Sequence, residues 1–336
     1  GHCLDSVTFI CVLKACGDIG AIEKGKQVHN EIVRRGLLKE SIVLATALVD
    51  MYIKCGVLSR AHQALLHEIP LRDVVWNVLI VGYSQQGQGN EAFNCFERMQ
   101  SEGLSPDAVT FSCILKACGN MGAIEIGKRF HTEIVNMNLL EKDIMLGNVL
   151  VDMYARFGLL AKAHQVLENL TIRDVVSWTT IIAGYGQKGQ TTEALNCFDQ
   201  MLGECIAPNE ITLLSVLAAC SHSGNLDKAQ MYFSDMSKKY RILPNVLHHT
   251  CMIGIYANAG HFEKAMSVFR TIPGLEHSLV WMAILGACKK WGNVHIGRWA
   301  FEKAIELDRA DGRPYSRMVN MYATASLEDA ERIVRL

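Results

Sequence analysis

Two short words in the chain have residue types and a spacing that could do chemistry: His29-Asn30-Glu31 and His131-Thr132-Glu133. A histidine followed two positions on by a glutamate is half of a zinc-deaminase signature, in which the histidine ligates the metal and the glutamate moves the proton. The other half, P-C-x-x-C, would supply the remaining ligands and occurs nowhere, and none of the 12 cysteines belongs to a C-x-x-C. The C-x4-C spacings Cys11 to Cys16 and Cys113 to Cys118 lie inside continuous helical patterns. Those thiols are expected to pack as small apolar residues in a reducing compartment. His248-His249 are adjacent, and adjacent helical residues do not converge on one ion. There is no Walker-type phosphate loop, nucleophile elbow or charged triad. The expectation is a chain that is not an enzyme, with no cofactor and no metal site.

The two H-x-E words stand 102 residues apart, and the same offset holds far beyond them. Residues 5–35 align with 107–137, keeping Leu13/Leu115, Lys14/Lys116, Cys16/Cys118, Gly25/Gly127 and His29/His131 in register. Leu48-Val49-Asp50-Met51-Tyr52 repeats as Leu150-Val151-Asp152-Met153-Tyr154, and a third copy begins at Ile211. Self-similarity at fixed spacing marks a stacked-repeat protein, so H-x-E is read as repeated framework on a second helix rather than as a site. Within one period the apolar residues recur at helical spacing, with a break at 119–122 and further helices over 144–154, 160–170, 175–185 and 192–201. The period therefore divides into three unequal helix hairpins, 108–143, 144–174 and 175–209. Glycines 56, 87, 158 and 189 fall at the tight turns, and prolines 70, 106, 208 and 244 at the ends.

Composition agrees with an extended stack. Half of the 336 residues are apolar, yet no run approaches the ~20 uninterrupted apolar residues of a membrane span, so no membrane partner is expected. The start, GHCLDSVTF, enters a repeat directly without a targeting leader. A net charge of −1 announces no global attraction to nucleic acid, so an anionic partner would have to be met by a local surface.

The triplet of lengths and its words resemble the pentatricopeptide repeat family, specifically the plant subclass that alternates P, L and S motifs. VLKACGDIGAIEKGKQVH and ILKACGNMGAIEIGKRFH resemble L motifs, ALVDMYIKCG and VLVDMYARFG resemble S motifs, and DVVSWTTIIAGYGQKGQTTEALNCFDQM resembles a P motif. LVWMAILGACKKWGNVHIGRWAFEKAIELD is similar to a first E motif of the kind typical of organellar C-to-U RNA editing factors. The resemblance implies an all-α, right-handed α-solenoid superhelix. Its motifs run as the end of a truncated repeat (1–5), L (6–41), S (42–73), P (74–107), L (108–143), S (144–174), P (175–209), terminal L (210–245), terminal S (246–277), first E (278–311) and a partial second E (312–336). SLEDAERIVRL departs from the pattern by lacking the usual glycine before the second helix of that last motif. The resemblance also implies a mitochondrial or chloroplast protein that binds single-stranded RNA. A deaminase or another editing-complex protein would meet its E motifs, with the deaminase lying beyond Leu336 or on another polypeptide. Two alternatives remain: a solenoid scaffold for protein partners, and an RNA-binding factor for transcript processing or stability.

A row of first helices can match splayed bases, so that one repeat addresses one base. In family terms the fifth and last residues of a repeat meet one base edge. Asp in the last place accepts from guanine N1–H or uracil N3–H, whereas Asn donates to adenine N1 or cytosine N3. Carried over, Thr46 with Asp73 implies G, Asn77 with Asp107 implies U, and Ser112 with Asp143 implies G in a weakly reading L motif. Asn148 with Asp174 implies U, and Thr179 with Asn209 implies A. Ile10 with Ser41, Leu214 with Asn245 and Thr250 with His277 fall outside the well-behaved combinations. The expected core, 5′ to 3′, is G-U-(G)-U-A. Val43, Val109, Met145, Val176 and Ile211, at the second positions, are expected to wedge between neighbouring bases. The same Asp and Asn residues precede helices, where they are also favoured simply as caps and Asx-turns.

Overall fold

The computed structural model describes residues 5–39, 41–68, 73–272, 278–291, 294–308 and 311–324. Among them are nineteen α-helices, one short 3-10 turn at Leu37–Lys39 and no strand. The chain divides into two compact units, Gly1–Ile172 and Arg173–Leu336.

In the first unit the helices pair as hairpins: α1 (Ser6–Asp18) with α2 (Ile22–Arg34), α3 (Ile42–Lys54) with α4 (Leu58–Glu68), and α5 (Asp73–Gln85) with α6 (Gly89–Ser101). Two more follow, α7 (Ala108–Met121) with α8 (Ile124–Asn136), and α9 (Ile144–Arg156) with α10 (Leu160–Asn169). The first helix of each hairpin packs on the first helix of the next, so α1, α3, α5, α7 and α9 form one continuous row. The second unit repeats the plan. There α11 (Val175–Gln187), α13 (Glu210–Ser223), α15 (Val246–Asn258), α17 (Ser278–Trp291) and α19 (Arg313–Thr324) form the row. The second helices α12 (Thr191–Gly203), α14 (Leu226–Lys238), α16 (Phe262–Phe269) and α18 (Val294–Leu307) back it. The fold is all-α and of the α-solenoid class.

This division of labour is written in the residues. A helix of the row touches a neighbour on either side and its own partner behind, so it is apolar around most of its circumference. In α3, for example, Leu44, Ala45, Leu48, Val49, Met51 and Tyr52 are all buried. A second helix buries one stripe only, as α2 does through Gly25 and Ile32, and exposes charge on the rest. Glycine permits the closest approach: a Cβ on Gly127 would lie 2.7 Å from Sδ of Met153, so α8 could not seat against α9 with a larger residue unless Met153 moved. The break expected over 119–122 is narrower than the sequence suggested. Helix α7 runs through Gly119 to Met121 and ends at Gly122, whose φ of 68° is the left-handed conformation that closes a helix. The glycines expected at tight turns, 56, 87, 158 and 189, all have positive φ, between 72° and 76°.

Candidate nucleic-acid interface

Seven of the row helices, α1, α3, α7, α9, α11, α13 and α15, begin on a side-chain cap. Asp5, Asp107, Asp143, Asp174, Asn209 and Asn245 each accept, through Oδ1, from backbone N–H groups in the first turn of the helix that follows; Ser41 does so through its hydroxyl. Capping is therefore real for the residues also read as base-selecting, but it occupies only one of the two terminal atoms. At Asp107, Asp174 and Asn209 the cap is reciprocal, because Thr110, Ser177 and Thr212 return a hydroxyl oxygen to the cap's own backbone N–H. These three hydroxyl residues are fully buried.

Two of the expected pairs are brought together by hydrogen bonds. The Asn77 amide nitrogen donates to the Asp107 carboxylate, 3.2 Å from either oxygen, while Thr110 donates its hydroxyl proton to Asn77 Oδ1. The Thr179 hydroxyl lies 2.6 Å from that of Thr212, which in turn lies 2.9 Å from Asn209 Oδ1. Asn77, Asn148 and Thr179 are nearly buried, each with 8% of its surface exposed. Asn77 and Asp107 line, with Val109 and Gly82, a groove of about 460 Å³ over the row helices. Trp76 anchors the register there: its indole N–H donates to Glu102 at 3.2 Å, as Trp178 donates to Glu204 at 3.0 Å one period later. Asn77 thus follows Trp76 as Thr179 follows Trp178.

The other expected residues are arranged differently. Ser112 and Asp143 share no hydrogen bond, and Asp143 is committed to Met145 and Leu146 of α9. Thr46 and Thr250 donate to carbonyls of their own helices, those of Val43 and Val246. Asn245 turns its amide N–H to Glu210 at 3.2 Å. Asn148 belongs to the first unit and Asp174 to the second, so each is placed only within its own unit. The Asp73 side chain and His277 lie outside the described residues. All five wedge candidates are exposed, from 50% for Val176 to 65% for Met145. Sequence reasoning missed Thr110, Ser177 and Thr212; the signal was the word Asp/Asn-x-x-Thr/Ser, which opens residues 107–110, 174–177 and 209–212 alike.

The H-x-E residues face different partners. His29 Nδ1 is 2.7 Å from the Tyr52 hydroxyl and His131 Nδ1 is 2.9 Å from that of Tyr154. Glu31 pairs with Arg34 and Arg35, whose hydrogen bonds hold its carboxyl down at about 2. Glu133 accepts from Gln100. His248 is buried in a cap with Asn245, its Nδ1 2.7 Å from Oδ1. Burial pushes the Cys95 and Cys118 thiols up to about 12, as suits packing residues, and the described cysteines are all free. Among the described residues no group of three or more His, Cys, Asp or Glu could hold a metal ion, and no helix is long and apolar enough to cross a membrane.

The sequence matches the PPR repeat family over residues 72–120 and 173–222, and the PPR repeat over 211–240 and 248–274. It is 31% identical over 365 residues to the pentatricopeptide repeat-containing protein At5g56310 of Arabidopsis thaliana, an alignment covering 98% of this chain and 68% of that protein. It is 32% identical to the mitochondrial protein At1g06140 of the same plant, over 100% of this chain and 60% of that one. The chain spans about half the length of several relatives, 44% to 60% of them. Among solved structures, maize pentatricopeptide repeat protein PPR10 superposes with a TM-score of 0.50 at 20% identity, covering 95% of this chain and 56% of that one. PPR10 in complex with an 18-nt psaJ RNA element gives 0.54 at 15% identity, covering 96% and 53%. The hairpins, their capped row helices and the relationship to At5g56310 over 98% of this chain and 68% of that protein lead to one conclusion: the chain belongs to the pentatricopeptide repeat family.

Proposed function

We propose that the chain binds single-stranded RNA sequence-specifically, one base per repeat, with the core 5′ G-U-(G)-U-A 3′. The observation that carries this reading is the hydrogen-bonded pair Asn77–Asp107, set in an open groove beside exposed Val109. Asp107 Oδ1 takes the N–H of the helix start and Oδ2 remains an acceptor. Nδ2 of Asn77 has two protons and gives one to Asp107, so one is left to donate. An acceptor beside a donor matches uracil, whose N3–H donates and whose ring carbonyl accepts.

The motif words and the E-like segment 278–311 support assignment to the P, L and S subclass, and with it a role in positioning an organellar transcript for C-to-U editing. The deaminase then lies beyond Leu336 or on a partner that meets the E motifs. Relatives named as mitochondrial and chloroplastic support an organellar address.

The test is binding of the purified chain to a single-stranded RNA carrying GUGUA and to a scrambled RNA of equal composition, at two salt concentrations. The expected result is tighter binding to the designed RNA at both, with each affinity falling as salt rises. Equal affinity for both RNAs would remove the sequence-reading claim.

A further inference from the structure

From the wiring beneath the two hydrogen-bonded pairs, we infer that the buried hydroxyls of Thr110 and Thr212 are positioning residues for base selection. Each sets the rotamer and the proton direction of the two side chains that face one RNA base. The inference rests on the base-reading proposal and adds a third residue, from the following helix, to each reading unit. Both threonines have no exposed surface, so neither can touch RNA itself. Both act through residues that can.

Proton counting shows what each hydroxyl does. Thr212 Oγ1 accepts from the backbone N–H of Asn209 at 3.2 Å and lies within reach of two further oxygens, Asn209 Oδ1 and Thr179 Oγ1. It has one proton to give. Asn209 Oδ1 can only accept, so the Thr212 proton belongs there, and the Thr179 proton must then point at Thr212. The outward face of Thr179 is left with lone pairs, and the outward atom of Asn209 is Nδ2. An acceptor beside a donor fits the amino group and ring nitrogen of adenine. Thr110 Oγ1 accepts in the same way from the Asp107 backbone N–H and lies within reach of two oxygens that only accept, Asn77 Oδ1 and Asp107 Oδ1; its one proton goes to the shorter contact, Asn77 Oδ1. That bond keeps the Asn77 amide from turning its oxygen toward the Asp107 carboxylate.

The device is absent where α3 and α9 begin. Those helices carry Leu44 and Leu146 at the equivalent place. Ser112 and Asp143, the pair joined at the start of α9, share no hydrogen bond. A missing hydroxyl is thus a physical reason for weak reading by the motif that ends at Asp143.

The experiment uses the whole chain at fixed salt and two single-stranded RNAs that differ only in A or G opposite Thr179 and Asn209. The expected wild-type preference for A is about five- to 150-fold. Thr212→Val keeps shape and burial but removes the hydroxyl. It should reduce that ratio at least about threefold, and leave the U-over-C ratio at Asn77 and Asp107 as in the wild type, because neighbouring repeats read independently. Thr212→Ser, which restores the hydroxyl, should recover the wild-type ratio. Retention of the full ratio by Thr212→Val, or its loss in both variants, would overturn the role given to the hydroxyl. A wild-type protein that does not distinguish A from G would instead remove the base-reading proposal itself, and this inference with it. If Thr212→Val does not fold, Thr110→Val asks the same question in the other unit, with U against C as the readout.

Discussion

Asn209 Oδ1 accepts from the Thr212 backbone N–H at 2.9 Å, and this single bond decides which end of the amide faces away from the helix. A backbone N–H has nothing to offer an NH2 group, so the amide cannot flip without losing the cap. Nδ2 is therefore held outward as a donor. Capping and base reading, which compete as explanations of the residue type, are compatible in the structure because they use opposite atoms.

The first prediction follows from that bond. Asn209→Asp keeps the cap, since Asp and Asn are about equally good at this place, and exchanges the outward donor for an acceptor. Preference at the one site should invert from A to G. The expected change is roughly 1 to 3 kcal/mol, about five- to 150-fold in relative affinity, with thermal stability nearly unchanged. Binding of both proteins to RNAs differing at that base, at one salt concentration, reads it directly. Equal losses for A and G would make Asn209 a cap and nothing more.

The second prediction concerns the wedge positions. Ile211 is 64% exposed, so Ile211→Ala should shift stability by less than about 0.5 kcal/mol. Its apolar surface has a use only if bases cover it. Burying part of an isoleucine side chain is worth about 1 kcal/mol, so affinity for every RNA should fall about fivefold while the A-over-G ratio stays constant. Isothermal titration beside a thermal melt separates the two effects, and an unchanged affinity would show that no base packs on Ile211.

Much of the fold was legible because a repeat states its helix pattern several times. The stripe Phe111, Ile114, Leu115 and Cys118 is buried throughout, and in its counterpart Phe9, Leu13 and Cys16 are buried while Val12 is exposed. The end of α7 was less legible: Gly119 and Gly122 look alike in sequence, and only the backbone shows that Gly122 alone takes a positive φ. For the candidate interface, the fifth and last positions could be placed by alignment, and for Asn77 and Asp107 the structure adds that they bond. The third-position hydroxyls were hidden because Thr and Ser at N3 look like ordinary helix-start residues. Their reach across to the preceding hairpin depends on how closely α5 packs on α7 and α11 on α13, which no local word records.

The last prediction uses one buried histidine, His248, and two part-buried ones, His62 and His131. Burial pushes His131 below its ordinary value of 6.5, and the nearby Lys162 adds to the shift; burial lowers His62 and His248 as well. The sign follows from proton binding. Above pH 6.5 neither folded nor unfolded chain protonates these rings, and stability does not depend on them. Below it the unfolded chain takes up protons that the folded chain refuses, so stability falls with pH until the depressed folded values are passed. Carboxylates do not confuse the window, because Glu31 moves from 4.5 to about 2 and its contribution is lost only at lower pH. The urea midpoint should therefore drop between pH 7.5 and pH 5.5, with each histidine contributing a slope of no more than about 1.4 kcal/mol per pH unit. His131→Gln can keep a hydrogen bond to Tyr154 but cannot titrate, so it should flatten the slope by one histidine's share while leaving the midpoint at pH 7.5 close to the wild type. A midpoint that rises as pH falls over this range would mean that these rings gain protons on folding, the reverse of what their burial requires.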